Sequence, residues 1–263
     1  MVKYILISLI ALLTLECVSA QNFYFPTNGT ITYERKFHLQ NYLKRNFSNP
    51  SELDFWDKAT VDYLVKSGPT EIITKHTLKF ANQETLFETM KESYPANYSQ
   101  AFHMMPVMHE SKTYSHLEKN MFSKLLDFGG DEVILADTIP TIKWKYTDEY
   151  RNIVGYDCRR ANGLLQDSIY VVAFFTNQIA IPAGPELIQG LPGTILGVSI
   201  PSLNINMFAT HVQLTNDFIT PTLTKNKKVV MQNRVEIQQT LKSSIARWSN
   251  DKDFQKQLSK VFF

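Results

Sequence analysis

The run His103-Met104-Met105-Pro106-Val107-Met108-His109-Glu110, followed by His116 and Met121, holds three of the six histidines and four of the eight methionines of the chain. Thioether and imidazole ligands together suit copper, which makes His103, Met104, Met105, Met108, His109 and His116 candidate ligands for copper or another metal. The competing reading is that the methionines fill irregular apolar gaps and the histidines are polar surface. Cys158 is the second residue that could do chemistry. A histidine nearby in space would make it a nucleophile by lowering the thiol's pKa, and no sequence feature supplies that partner. Read as a strand, Ile153-Val154-Gly155-Tyr156-Asp157-Cys158 puts Cys158 on one face with Val154 and Tyr156, which predicts a small buried residue. An intermolecular or metal-bound thiol is the alternative.

Signatures of enzymes are incomplete. Gly197-Val198-Ser199-Ile200-Pro201 approaches a nucleophile elbow but has Pro201 where the second glycine belongs. His109-Glu110 opens like a zincin motif, yet the next histidine is His116, too far on to share a helix face with His109. No glycine-rich phosphate loop occurs, and Asp131-Glu132 and Asp148-Glu149 read as turn and surface carboxylates. No residue is assigned a catalytic role and no cofactor beyond copper is suggested, so the chain reads as a binding protein.

The elements that must position these residues are mostly strands. Thr30 to Phe37 mixes β-branched, aromatic and charged residues in near alternation, the pattern of a half-buried strand. Ser51 offers an N-cap to a short helix with Leu53, Trp56, Val61 and Leu64 on its apolar side, ending at Gly68-Pro69. Period two returns from Glu71 to Phe80, and Ala81-Asn82-Gln83 turns it into a second run from Glu84 to Met90, a hairpin. Residues 92–111 have no clean period and read as a long loop. Short strand-like runs follow over 112–120, 121–128, 132–136, 142–146, 153–160, 168–176, 194–200 and 206–214, an antiparallel meander. A C-terminal helix is expected over about 232–248, with Val235, Ile237, Leu241, Ile245 and Trp248 near one stripe.

The chain opens with Lys3, an apolar run from Tyr4 to Leu15 and small residues at Ser19 and Ala20, the build of a signal peptide cleaved after Ala20. The apolar run is shorter than the roughly 20 residues of a bilayer span. With residues 1–20 removed, Cys158 is the single cysteine, so the exported protein rests on a hydrophobic core instead of disulfides. A formal charge of +2 is too small to imply nucleic acid or an acidic membrane as partner. No repeat or linker divides residues 21–263, which read as one domain.

The ordered set Trp144, Gly155-Tyr156-Asp157-Cys158, Gly184-Pro185 and Gly190-Leu191-Pro192-Gly193, together with the opening strand Gly29 to Glu34, resembles the GLPGLI family of exported bacterial proteins. The resemblance runs from about residue 29 to about residue 215, with Thr194 in place of the usual leucine. It implies a mostly β (α+β) protein, a curved antiparallel sheet or half-barrel with a short N-terminal helix and a C-terminal helix. It also implies a periplasmic, outer-membrane-associated or secreted location, and a link to outer-membrane nutrient uptake through a partner protein or small ligand of the cell envelope. Leu191-Pro192-Gly193-Thr194 itself fits a type II turn, with Pro192 setting φ at the second position and Gly193 supplying positive φ at the third. That reading makes the motif residues structural and leaves the concave face of the sheet as the place for a ligand.

Overall fold

Strand β1 (Gly29–Phe37) buries every second residue, and the buried set Ile31, Tyr33, Arg35 and Phe37 includes one charged side chain. The alternation predicted from sequence is realised because one face of this strand is covered and the other is solvated. The computed structural model describes residues 27–48, 55–127, 132–165, 168–215 and 217–245. The signal-peptide segment 1–20, the cap at Ser51, Leu53, the Gly129-Gly130 turn and Trp248 lie outside the described residues.

Among the described residues, twelve strands form one open sheet. β2 (Ile72–Ala81), β3 (Glu84–Thr89), β4 (Lys112–His116), β5 (Met121–Asp127) and β6 (Glu132–Thr138) continue from β1 as one meander. β7 (Lys143–Ile153), β8 (Tyr156–Leu165), β9 (Ile169–Thr176), β10 (Thr194–Ile200) and β11 (Ile205–Leu214) form a second. The two meanders join through β1 and β11, whose register runs from Gly29 opposite Leu214 to Phe37 opposite Ile205. β12 (Val230–Gln232) adds to β6 in parallel, so the expected all-antiparallel sheet holds for every pairing except this one.

The order β12-β6-β5-β4-β3-β2-β1-β11-β10-β9-β8-β7 puts β6 beside one edge and β7 at the other. In a flat sheet ten strand spacings would set them about 48 Å apart. Only residues 139–142 connect them, and five Cα steps from Thr138 to Lys143 span at most about 19 Å. The sheet must therefore curl.

Four α-helices accompany it among the described residues: α1 (Leu39–Asn46), α2 (Phe55–Ser67), α3 (Tyr98–Met104) and α4 (Arg234–Ile245). α2 is the N-terminal helix expected from sequence. α1 is an addition, and it docks Leu39, Tyr42 and Leu43 on the core through i, i+3, i+4 spacing. α3 interrupts the expected 92–111 loop. The C-terminal helix begins at Arg234 rather than near 232, because Asn233 and Glu236 close a capping box: Glu236 N donates to Asn233 Oδ1 at 3.0 Å and Asn233 N to Glu236 Oε2 at 2.8 Å.

The expected continuous strand from Ile153 is broken. Val154 and Gly155 both have positive φ, 45° and 88°, and Ile153 pairs with Tyr156, so these two residues turn the β7–β8 hairpin. Val154 therefore shares no strand face with Cys158.

The strap between β9 and β10, residues 177–193, lies under the sheet and joins its apolar clusters. Ile179, Ile181 and Ala183 pack with Ile31, Tyr33, Phe80 and Phe87; Leu187 packs with Phe122, Leu126 and Ile237; Ile188 and Leu191 pack with Phe37, Leu43 and Val198. The covered face is thus filled by side chains, with a void of about 20 Å³ between Arg35, Glu186, Val198 and Met207.

Candidate functional site

The motif residues build the strap. Trp144 Nε1 donates to the Gln189 carbonyl at 3.1 Å, tying β7 to it. Gly193 N donates to Leu191 O at 2.8 Å, while Thr194 N reaches Ile179 O at 3.1 Å. The expected type II turn is thus replaced by a tighter three-residue turn about Pro192. Gly193 keeps its positive φ, 144°, and a Cβ there would lie 2.1 Å from Thr176 O. Gly184 is equally confined, with Ile188 O 2.1 Å from the same construction, and Pro185 O accepts from Ile188 N at 3.1 Å. Gly155 and Tyr156 belong to the β7–β8 hairpin instead.

Confinement of the strap aims Glu186, itself at φ +55°, into the sheet. Its Oε2 lies 3.4 Å from Lys124 Nζ and accepts hydrogen bonds from Ser111 Oγ at 2.8 Å and Thr113 Oγ1 at 3.3 Å. Lys124 is fully buried on β5 between the inward positions Phe122 and Leu126. A lysine in the apolar register of a strand was the available signal for this site, as was Arg35 between Tyr33 and Phe37. Sequence reasoning passed over both.

Beside this pair runs a closed ring of hydrogen bonds. Arg35 Nε donates to Thr74 Oγ1 at 3.1 Å, Thr74 meets His76 Nε2 at 2.9 Å, and His76 Nδ1 meets Thr89 Oγ1 at 3.1 Å. Thr89 Oγ1 donates to His109 O at 3.5 Å, and Arg35 Nη2 reaches the same carbonyl at 2.7 Å. The hydroxyl and imidazole donors of the ring are all used when His76 carries its proton on Nδ1. Burial and the Arg35 charge hold His76 well below the usual imidazole range, so it is neutral at physiological pH. Burial pushes the Arg35 guanidinium down to about 10, against the pull of the Glu186 carboxylate.

Thr89 and Ser111 also line a cleft of about 640 Å³, where β3 leaves the sheet and β4 enters it. Glu88, Glu92, Glu110, Asp127 and Glu132 line it against Lys91 and Lys112, with Tyr94 and Leu223 at its sides. The Tyr94 hydroxyl is buried there with no hydrogen-bond partner.

The Met/His segment is divided. Met104 and Met105 are buried in the core. Met108 lines the cleft, and His116 stands at the far end of β4 from His109, about 13 Å of extended strand away from its start. His103 and His109 stay together, lining a surface pocket of about 320 Å³ with Tyr94 and Phe102. Phe102 stacks on the His109 ring at 4.4 Å, and burial lowers the His109 pKa. Among the described residues, no group of three or more His, Cys, Asp or Glu side chains is placed to hold a metal ion.

Cys158 is fully buried and packs with Tyr33, Ile153 and Leu196. Its Sγ donates to Tyr156 O at 3.5 Å, and burial, with Asp157 nearby, pushes the thiol up to about 12. It offers no thiolate at neutral pH.

No family model matches the chain, and no curated protein matches it. Among solved structures the fold is similar to that of PNGF-II in two crystal forms. In the C2 form the TM-score is 0.51 at 14% identity over 79% of this chain and 31% of that one. In the P21 form it is 0.50 at 15% identity over 81% and 32%. The chain spans about a third of the length of those chains, and the likeness is one of fold. No helix among the described residues is long and apolar enough to cross a membrane.

Proposed function

We propose that this chain is an exported, non-enzymatic binding protein of the bacterial cell envelope, a member of the GLPGLI family, whose ligand sits in the cleft at the β3–β4 end of a half-barrel sheet. The cleft supports the reading: at about 640 Å³ it is of small-molecule size, whereas the covered face of the sheet is packed. Lys75 and Lys79 pair with Glu92 and Glu88 from outside the lining, and Glu110, Asp127 and Glu132 still outnumber Lys91 and Lys112, which favours a polar ligand that carries positive charge. A link to nutrient uptake across the outer membrane fits a carrier of such ligands. The test is a thermal-shift titration of residues 21–263 with putrescine, arginine and choline as cationic probes. At least one should raise the melting temperature, and Glu110→Lys at the rim should abolish the shift. Silence from all three probes would sink the reading.

A second reading assigns copper to His103 and His109. It is supported by the shared pocket and by the lowered His109 pKa, which leaves that imidazole free of its extra proton at neutral pH. Titration of Cu(I) against His103→Ala, His109→Ala and Met105→Ala decides it. The two histidine variants should lose affinity and the buried-methionine variant should keep it; unchanged affinity in all three eliminates the site.

A further inference from the structure

β7 and β10 stand three places apart in the sheet, about 14 Å if it were flat. Yet a Cβ built on Gly197 of β10 would lie 3.1 Å from Ile153 Cδ1 at the end of β7. That end therefore arches back over the second meander, and between it and strands β1, β9, β10 and β11 opens a pocket of about 530 Å³. Three groups are layered at its wall. The Phe208 ring lies against Gly197, its cross-strand partner, where a Cβ would come within 2.6 Å of the ring. The Arg151 guanidinium lies over that ring, 4.7 Å from its centroid, and 5.9 Å from the centroid of Phe174. The missing Cβ lets the ring settle on the backbone, and the ring in turn holds the guanidinium at the pocket. A stacked guanidinium keeps its N–H edge for a second partner. The other arginines of the β7–β8 hairpin have theirs, since Arg159 pairs with Asp148 and Arg160 with Glu149. Arg151 forms no ion pair among the described residues. The remaining charges of the lining are answered: Lys36 Nζ lies 3.3 Å from Glu34 Oε1, and His38 Nδ1 lies 3.5 Å from Glu71 Oε2.

We infer that this pocket binds a small carboxylate carried on an apolar body, with the Arg151 fork on the carboxylate and Val172 and Phe174 against the body. Guanidinium and carboxylate match in charge and in two-point geometry, and Arg151 is the one charge of the lining left over for a ligand. The volume lies in the range of small-molecule sites. Ser199 and Asn206 are the uncharged polar residues of the lining, and Asn206 Nδ2 is engaged by His38 Nε2 at 3.0 Å. The site stands independently of the cleft between β3 and β4, being built from other strands and suited to the opposite charge.

The test uses 3-phenylpropionate as probe, 3-phenylpropan-1-ol as the same body without the charge, and inorganic phosphate as a charge without the body. In nitrogen–proton correlation spectra of the folded chain, the Arg151 Nε–H and the Phe208 backbone amide should shift saturably with 3-phenylpropionate, with a Kd of about 1 mM. The alcohol and phosphate should bind roughly tenfold more weakly or not at all. Arg151→Met, an exposed change that keeps a side chain over the Phe208 ring, should weaken binding of the carboxylate roughly tenfold, the loss of one charge-assisted hydrogen bond. Lys36→Glu, which places a carboxylate in the lining from a side chain already 43% exposed, should weaken it too, read on the Phe208 amide whether or not the Arg151 variant folds. Equal affinity for the alcohol, displacement of the carboxylate by phosphate at equal concentration, or undiminished affinity in either variant overturns the inference.

Discussion

Lys124 Nζ lies 3.4 Å from Glu186 Oε2, and this contact fastens the strap to the middle of β5 with the lysine wholly out of solvent. A buried ion pair adds little over well-packed apolar groups, but breaking one partner leaves an uncompensated charge. Glu186→Gln should therefore cost about 3–5 kcal/mol. The double variant Lys124→Met, Glu186→Gln should cost less than the two single losses added together. Urea unfolding of the four proteins checks this, and additive losses would show that the pair does not act as a unit.

Acid should unfold the protein through His76. Its pKa is lowered in the folded state, so below about 6.5 the unfolded chain takes up a proton that the fold refuses, and stability falls as pH drops. The slope for this one proton is about 1.4 kcal/mol per pH unit; above 6.5 the group contributes no slope. His109, lowered in the same direction, adds to it. His76→Gln should flatten the stability profile between pH 5 and pH 6.5, whatever it does to stability at neutral pH.

Cys158 should resist thiol reagents until the chain unfolds. Its thiol is both enclosed and pushed up to about 12. The rate of labelling with an aromatic disulfide at pH 8 should track the unfolded fraction along a urea series. Fast labelling of the native protein would mean an accessible thiolate, and would reopen nucleophilic chemistry at this residue.

Two glycines with positive φ should differ sharply. At Gly155 a Cβ would meet nothing within 4 Å, so Gly155→Ala should cost about 1 kcal/mol, the backbone term alone. At Gly193 the same atom would lie 2.1 Å from Thr176 O, so Gly193→Ala must displace the strap and should cost several times as much. Melting temperatures of the two variants settle the ranking.

How far the fold could be read in advance depended on range. β10 was legible residue for residue, and the β2–β3 hairpin nearly so, because alternation and turn residues are local signals. α1 escaped notice: it is eight residues long, and His38 at its start makes no side-chain cap bond. β12 is three residues long and owes its existence to β6, a neighbour far away in the chain. At the site, the motif glycines could be seen but not what they confine. The Glu186–Lys124 contact joins segments that no periodicity relates. Only the odd polar residues in apolar registers, Arg35 and Lys124, announced it. The Met/His candidates are divided for a related reason, since composition counts residues while helix α3 and strand β4 decide which of them share a pocket.

The seam between β1 and β11 sets an order on folding. Within each meander every pairing is between neighbours in sequence, so hairpins can form early at small loop-closure cost. Gly29 and Leu214 can meet only after both halves exist, and the contact order of that one seam should govern the overall rate. Until it closes, each half carries a long unpaired edge, apolar on one side, that a second molecule could pair with. A chain interrupted at the 139–142 bridge and supplied as two fragments should therefore either find its own complement or aggregate, with little in between.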